Sequence, residues 1–474
     1  MKVAHDEYLI SVKPLLQRLV NALNEQYPYA SVLATAASSK QYSVSRTGVT
    51  LSESAEYLNN CGFVVRVFDA THACGEYSFN EISEENLPEI LAAVQKTAEN
   101  LALSDARSFP LPEDEPLTLD AATDYAIDPE TVGDGAMIDR LSAIRQKALG
   151  MDERLLDVRA FANYQKYTKI FLSKNRDLTQ SVLWTVGGVI TFAARGEEIM
   201  NYYLPCSGLG GMENLADLEK NVDVAVNGVL ELLQSEKIVP GEYDCICTPE
   251  VTGMIVHEAF GHGVEMDMFV KNRALAKQYI GKRVASPLVT MHDGAAANVT
   301  QAATYFFDDE GTLAHDTVVI QNGILLTGIS DYLSAKSLGT APTGNGRRES
   351  WQRKAYTRMT NTYFEPGKDK LEDMIASISH GYLLSNASSG MEDPKNWGIQ
   401  CMVSIAKEIK DGKLTGKICS PIVLTGYVPD LLQSISMMSD GLELGGSGAC
   451  GKGYKEWVKV SDGGPYIKAK IRLG

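Results

Sequence analysis

A repeated order of elements in the first half of the chain limits the fold more than any other feature of the sequence. Residues 44–98 have the pattern of polar strands, an apolar strand, a turn with glycine and a helix, and residues 171–233 repeat that order. Three landmarks keep an offset of 126–128 residues: 51–54 with 178–181, 62–68 with 188–192, and 86–90 with 214–218. A steady offset indicates two copies of one unit. The sequence therefore predicts two similar α+β subdomains.

Changes in composition divide the rest of the chain. Prolines among acidic residues follow the first copy, between Pro110 and Pro129, and such a segment is a stiff, exposed connector. After Val239 the sequence changes to short alternating strands, and Asn322-Gly323 between two apolar runs is a hairpin signal. We therefore predict an α+β fold in four segments: a first copy over 1–105, the connector over 106–135, a second copy over 136–238, and a larger β-rich domain over 239–474.

The net charge of the chain limits the classes of molecule that it is expected to bind. Its 474 residues include 44 Lys and Arg against 60 Asp and Glu, which gives a formal net charge of −16. Proteins that bind nucleic acid present basic patches to the phosphates, so this charge argues against direct nucleic-acid binding. No apolar run approaches the ~18–20 residues that cross a bilayer, and charges interrupt the amphipathic N-terminal segment. We expect a cytoplasmic protein without membrane attachment, whose eight cysteines are mostly free.

One predicted helix carries an unusual pair of histidines. It begins at Pro249 and continues into the motif HEAFGHG at 257–263. Zinc proteases place two histidines four residues apart on one face of a helix. His257 and His262 are five apart, which is about 140° around an ideal α-helix. One ion can bind both only if the helix unwinds or bulges, and we interpret the glycines on either side of His262 as the residues that permit this.

The same motif predicts a catalytic group. Glu258 adjoins His257 and is suited to act as general base toward a zinc-bound water, whose pKa zinc lowers to about 7. A catalytic zinc site also needs a third protein ligand. The sequence leaves several candidates open, namely Glu265, Asp267, His292, His315 and a cysteine. Cys450 differs from the other cysteines because it lies in a glycine loop that allows the backbone to approach an ion closely.

A polar glycine loop over 342–350 forms a second candidate region, and it leads into a strand near Tyr363. In one interpretation Arg347, Arg348 and Tyr363 contact substrate, and the strand pairs with an extended peptide. In the other, the loop is a long surface turn held by salt bridges. The sequence leaves both interpretations open.

Four motifs in order along the chain resemble TldD-type members of the TldD/PmbA family. They are HEAFGHGVEMD (257–267), PTGNGRRES (342–350), YTRMTNTY (356–363) and ACGKG (449–453). The resemblance implies a zinc metalloprotease in which His257, His262 and Cys450 bind Zn2+ and Glu258 is catalytic. It also implies unstructured peptide substrates and a dimer, expected with a PmbA-type paralogue and alternatively with a second copy. The family has a historical label as a modulator of DNA gyrase.

Two segments depart from the family pattern: 386–398, where TldD proteins have a glycine-rich stretch, and the tail over 454–467. We predict a zinc-dependent metalloprotease that hydrolyses peptide bonds in unstructured or extended peptides, with the β-rich C-terminal domain as its catalytic part. The alternative is a non-catalytic zinc-binding subunit, or a regulator that acts through a paralogous partner or DNA gyrase.

Overall fold

The structure, a computed structural model, describes residues 1–53, 61–102, 107–297, 299–453 and 455–474. Three features of the sequence analysis lie outside these residues: Ser54 of the repeated pattern, the predicted boundary between residues 105 and 106, and Tyr454 of the tail.

In the first half of the chain, the order of a helix, a long strand, further strands and a second helix occurs two times. Its elements are α1 (Glu7–Asn24), β1 (Tyr29–Ser45), β2 (Gly48–Ser52), β3 (Cys61–Phe68), β4 (Cys74–Phe79), α2 (Leu87–Ala102), β5 (Leu117–Ala122), α3 (Pro129–Val132), α4 (Asp134–Leu149), β6 (Leu155–Leu172), β7 (Arg176–Arg195), β8 (Glu198–Leu209), a 3-10 turn (Met212–Leu215) and α5 (Val222–Leu232). The segments 178–181 and 188–192, which the sequence pattern treats as two strands, lie in the single strand β7.

Strands of both predicted copies belong to one eight-stranded sheet. Its order is β4-β3-β1-β6-β7-β5, with β2 paired to β1 and β8 paired to β7. The long strands β1 and β6 pair antiparallel, from Val32 with Leu172 to Val44 with Ala160, and so join the two copies in the middle of the sheet. The segment predicted as a connector contributes β5, which pairs parallel with β7.

The second half is rich in strands, with short helices between them. Its elements are β9 (Gly241–Cys247), α6 (Pro249–Met254), a π-helical segment (Ile255–Gly261), a 3-10 turn (His262–Val264), α7 (Met266–Val270), a 3-10 turn (Leu275–Tyr279), β10 (Met291–Asp293), β11 (Thr317–Gln321), β12 (Ile324–Leu325), α8 (Tyr332–Leu338), β13 (Gly346–Arg347), β14 (Tyr356–Thr357), β15 (Asn361–Phe364), α9 (Leu371–Ala376), β16 (His380–Asp393), β17 (Gly398–Lys410), β18 (Lys413–Cys419), β19 (Ile422–Tyr427), α10 (Val428–Gln433), β20 (Met437–Met438), β21 (Glu443–Gly445), β22 (Ala449–Lys452), β23 (Lys455–Lys459), β24 (Ser461–Gly464) and β25 (Ile467–Leu473). The predicted hairpin is β11 and β12, and both turn residues, Asn322 and Gly323, have the positive φ that such a turn requires.

Two larger sheets organise this half. One has the order β16-β9-β25-β19-β17-β18, with β20 paired to β25, and because β16 also pairs with β17 five of its strands close on themselves. The other has the order β12-β11-β10-β15-β24-β21, while β13 with β14 and β22 with β23 form small ribbons. The fold is therefore α+β, as the sequence predicts.

The largest buried apolar cluster surrounds the helix that follows β9. Val256, Ala259 and Phe260 of this helix are fully buried in it, together with Trp397 and residues of the closed sheet. Burial of these side chains fixes the position of the helix and of the polar residues between them. In the described part of the chain, no helix has the length and apolar character needed to cross a membrane.

Candidate metal centre

The helix after β9 changes its winding where the two histidines lie. It is α-helical from Pro249 to Met254 and π-helical from Ile255 to Gly261. The backbone N–H of His262 donates to the carbonyl oxygen of His257, which is the i→i+5 hydrogen bond of a π-helix. This bond stacks residues five apart as an α-helix stacks residues four apart. The wider turn therefore places both histidines on one face.

The structure brings the two histidines together with Cys450 of β22. Their rings are perpendicular, with centroids 5.2 Å apart, and Cys450 Sγ lies 3.3 Å from His262 Nε2. One donor atom from each of the three residues lies within 4.8 Å of the other two. His257 is 4% exposed and Cys450 7% exposed, so these donors are largely withdrawn from water.

The chemistry of these donors fits a zinc ion. The buried Nδ1 of His257 has no hydrogen-bond partner, although buried polar atoms are normally paired. Burial alone would raise the pKa of the Cys450 thiol, but the two imidazoles outweigh it and hold that pKa well below its ordinary value. Two imidazoles and a thiolate are preferred zinc ligands, and three protein ligands leave a position for water or substrate.

A layer of charged residues holds the donors from behind. His262 Nδ1 lies 3.5 Å from Glu265 Oε2, and Lys452 Nζ lies 3.0 Å from the same oxygen. The fully buried Arg358 forms an ion pair with Glu265 and donates through Nη2 to the carbonyl oxygen of Cys450, at 2.9 Å. Such contacts orient metal ligands and fix their tautomers. Arg358 and Lys452 were not predicted as supports, although they lie in the motifs YTRMTNTY and ACGKG.

Glu258 lies beside the donors, at the edge of a cleft. Its Oε2 is 3.9 Å from His262 Nε2, and its side chain is partly exposed. The cleft has a volume of about 560 Å³ and is lined by β8, the free edge of β16, the loop before β22, and the helix that carries His257. Asp462 of β24 also lines it, 3.9 Å from His257 Nδ1, and burial raises the pKa of this carboxyl to about 6. The departing segment 386–398 supplies one wall, with Asn386 and Gly390 among the lining residues.

The other candidate ligands of the sequence analysis lie outside the donor group. Glu265 supports His262, and Asp267 forms ion pairs with Lys452 and Lys271. His292 lies in another sheet, where Asp316 and Glu365 each bind one of its ring nitrogens at 2.9 Å. Among the described residues, the two histidines and Cys450 are the one group of metal-binding side chains with this spacing.

Arg347, Arg348 and Tyr363 are absent from the described residues that line the cleft. Arg347 donates to the carbonyl oxygen of Met359 at 2.6 Å and packs over the ring of Tyr305. Arg348 is buried in an ion pair with Glu76 of β4. Tyr363 is buried in β15 and stacks on His292. The geometry favours the structural interpretation of this region, in which the arginines hold the loop against neighbouring strands.

Comparison with known proteins identifies the family. Residues 240–472 match the family model of the PmbA/TldA metallopeptidase C-terminal domain. The metalloprotease TldD homolog of Buchnera aphidicola subsp. Acyrthosiphon pisum is 37% identical over 246 residues, covering 52% of this chain and 50% of that protein. Residues 240–472 belong to the TldD/PmbA family. A second member, the zinc metalloprotease TldD homolog of Saccharolobus solfataricus, is 32% identical over 261 residues, covering 55% of this chain and 56% of that protein. The chain thus spans about half the length of these curated relatives.

Solved structures share the fold over nearly the whole chain. TldE of Thermococcus kodakarensis superposes with a TM-score of 0.73 at 17% identity, covering 96% of this chain and 99% of that one. A Thermotoga maritima protein, described as a candidate modulator of a DNA gyrase, gives a TM-score of 0.76 at 15% identity, covering 98% and 100%. The chain therefore shares its fold with both proteins.

Proposed function

We propose that the protein is a zinc-dependent peptidase that hydrolyses peptide bonds in extended or unstructured peptides. One observation carries the proposal: two imidazoles, a thiol and a carboxylate converge at the wall of an open cleft. The names of its relatives as metalloproteases support the same reaction class.

His257, His262 and Cys450 would hold the zinc ion. When bound, zinc polarises a carbonyl oxygen and lowers the pKa of a coordinated water to about 7. Glu258 lies 3.9 Å from His262 Nε2 with access to the cleft, and it would accept the proton of the attacking water and pass it to the leaving amine. Glu265 and Arg358 keep His262 and Cys450 in place while the substrate binds.

Replacing Glu258 with Gln tests the proposed general base. The substitution keeps the size of the side chain and removes its ability to take a proton. We expect Glu258→Gln to retain zinc and to lower kcat for an unstructured peptide by about 10²–10⁴-fold, the usual contribution of general-base catalysis. Zinc content and turnover are measured on the same samples. A variant that keeps both its zinc and full activity excludes this role.

A non-catalytic metal-binding subunit is the rival from the sequence analysis. It predicts that the wild-type protein binds zinc and never cleaves peptides, even with a PmbA-type partner added. Turnover by the wild-type protein alone, lost in Glu258→Gln, excludes it. The PmbA-type partner, the second copy as its alternative and the cytoplasmic location stay predictions from the sequence.

A further inference from the structure

The cleft beside the metal centre has a charge of one sign. Its charged lining consists of Glu250, Glu258 and Asp462, and none of the described lining residues is Lys or Arg. The metal and the Cys450 thiolate together would add a single positive charge, which three carboxylates exceed. Concave surfaces with one sign of charge concentrate ligands of the opposite sign.

Two of these carboxylates, Glu250 and Glu258, lie on the helix that carries His257, and Glu250 is the farther of the two from the donor atoms. It lies in the first turn of α6, seven residues before His257, so the two are about 10 Å apart along the helix axis. An extended peptide rises about 3.3 Å per residue, so this distance corresponds to about three substrate residues. The exposed carboxylate is fixed at one oxygen, because Asn386 N–H donates to Oε1 at 2.5 Å.

Aromatic side chains add a second feature that favours cations. Tyr202 and Tyr203 of β8 both line the cleft. The face of an aromatic ring attracts the cationic side chains of Lys and Arg. Tyr203 also stacks on Phe161, which holds its ring in place. Carboxylates and tyrosines therefore line the same cleft.

We propose that the cleft selects extended peptides that carry Lys or Arg about three residues from the bond to be cleaved, and that Glu250 recognises this side chain. The inference rests on the proposed function, because it assigns a substrate class to the same cleft. Acidic peptides are disfavoured by the same carboxylates and by the net charge of −16.

Peptide affinity tests this inference separately from turnover. The probes are unstructured, otherwise neutral peptides with a neutral fluorophore and a single Lys or a single Glu at successive positions. Binding is measured by anisotropy on zinc-loaded Glu258→Gln, which is not expected to consume the peptide. We expect about 25-fold tighter binding of the best Lys peptide than of its Glu counterpart at low salt, because attraction of Lys and repulsion of Glu each contribute about five-fold, the factor from one pair of charges in water. The ratio falls toward one at high salt, because the Debye length shrinks from about 30 Å at 0.01 M to about 3 Å at 1 M.

Two further variants assign the effect to Glu250. Added to the same protein, Glu250→Gln should reduce the Lys/Glu ratio and Glu250→Lys should reverse it. Glu372→Gln is the matched control, because Glu372 is also an exposed glutamate in the first turn of a short helix and does not line the cleft. Equal affinities at low salt, or a Lys preference that Glu250→Gln leaves intact, overturn the inference. Failure of the wild-type protein to cleave any neutral peptide counts against the proposed function, while the binding ratio still decides the inference.

Discussion

Gly390 leaves the space in which the Glu258 side chain lies. A Cβ at this position of β16 would lie 2.4 Å from Glu258 Cγ and 3.2 Å from Cys401 Sγ. The first of these distances is far below van der Waals contact, so any side chain at 390 would displace Glu258 from its place beside His262. Gly390 is thus a positioning residue for the proposed base.

Gly390→Ala should therefore lower kcat without removing the metal. A displacement of about 1 Å in a reacting group costs on the order of 100-fold in rate, and we expect a loss of that size. Gly398→Ala in the same hairpin is the control, because its Cβ would meet open space. Steady-state kinetics with zinc analysis checks the result. Unchanged kcat in Gly390→Ala would contradict the positioning role.

The site residues differ in how well the sequence alone identifies them. His257, Glu258 and His262 are recognisable because they occur together in one short motif of a chain with few histidines. Cys450 lies 188 residues from His262, and no local pattern indicates that separation, so it depended on the resemblance to a family. Composition alone does not distinguish the two roles considered for Arg347 and Arg348. A glycine loop with arginines has the same sequence pattern whether the arginines bind substrate or hold the loop against a neighbouring strand.

At the scale of secondary-structure elements, the π-helical segment brings His257 and His262 onto one face of the helix. The glycines beside His262 are predicted to permit the distortion of the helix, but Gly261 has ordinary helical angles, with φ −60° and ψ −50°. The reason for a glycine there is space: a Cβ would lie 2.2 Å from the sulfur of the fully buried Met359. The helix can therefore pack against Met359, which lies just before β15, only with a glycine at position 261.

Gly261→Ala should destabilise the helix through this clash. Overpacking a core typically costs about 1–3 kcal/mol, and we expect a loss of that size in the free energy of unfolding. Met359→Ala alone also destabilises the protein because it empties a buried position, but the double variant should lose at least about 0.5 kcal/mol less than the sum of the two single losses. Gly135→Ala in α4 is the control, since its Cβ meets nothing within 4 Å. Additive effects of the two substitutions would contradict the contact. Urea denaturation of the four proteins of the cycle and of the control provides the measurement.

For the whole molecule, buried ion pairs connect the eight-stranded sheet to the second half of the chain. Arg66 of β3 pairs with Glu310 at 2.6 Å, Glu76 of β4 pairs with Arg348, and Lys169 of β6 pairs with Asp309. Burial alone would raise the pKa of Glu76, but Arg348 and Arg66 outweigh it and hold that pKa well below its ordinary value. The two halves are therefore coupled through charges that are costly to leave unpaired.

Glu76→Gln should lower the free energy of unfolding by about 3 kcal/mol at pH 7, because it leaves a buried guanidinium without its partner. The native pKa of Glu76 is depressed, so its contribution is fully present above the unfolded value of about 4.3 and is lost as the pH falls through the folded pKa. The difference between wild type and variant should therefore shrink in acid. Glu84→Gln, in an exposed pair with Arg18, should cost less than about 1 kcal/mol. A loss at Glu76 no larger than this control would contradict the coupling.

The α+β class was predictable because strand and helix patterns are local. The single sheet that contains both copies was not, since β1 and β6 pair over residues more than 100 positions apart and no local pattern specifies such a partner. The connector illustrates the same limit: its prolines and acidic residues indicate exposure, but β5 within it completes the edge of the sheet.

The central claim is that His257, His262 and Cys450 together hold one zinc ion, and metal analysis of Cys450→Ala tests it most directly. The wild-type protein, loaded with zinc and desalted, should retain one zinc per chain. Cys450→Ala should retain almost none, whereas Cys206→Ala, a half-buried cysteine outside the donor group, should match the wild type. A Cys450→Ala protein that is folded and still binds one zinc with wild-type affinity would contradict the account.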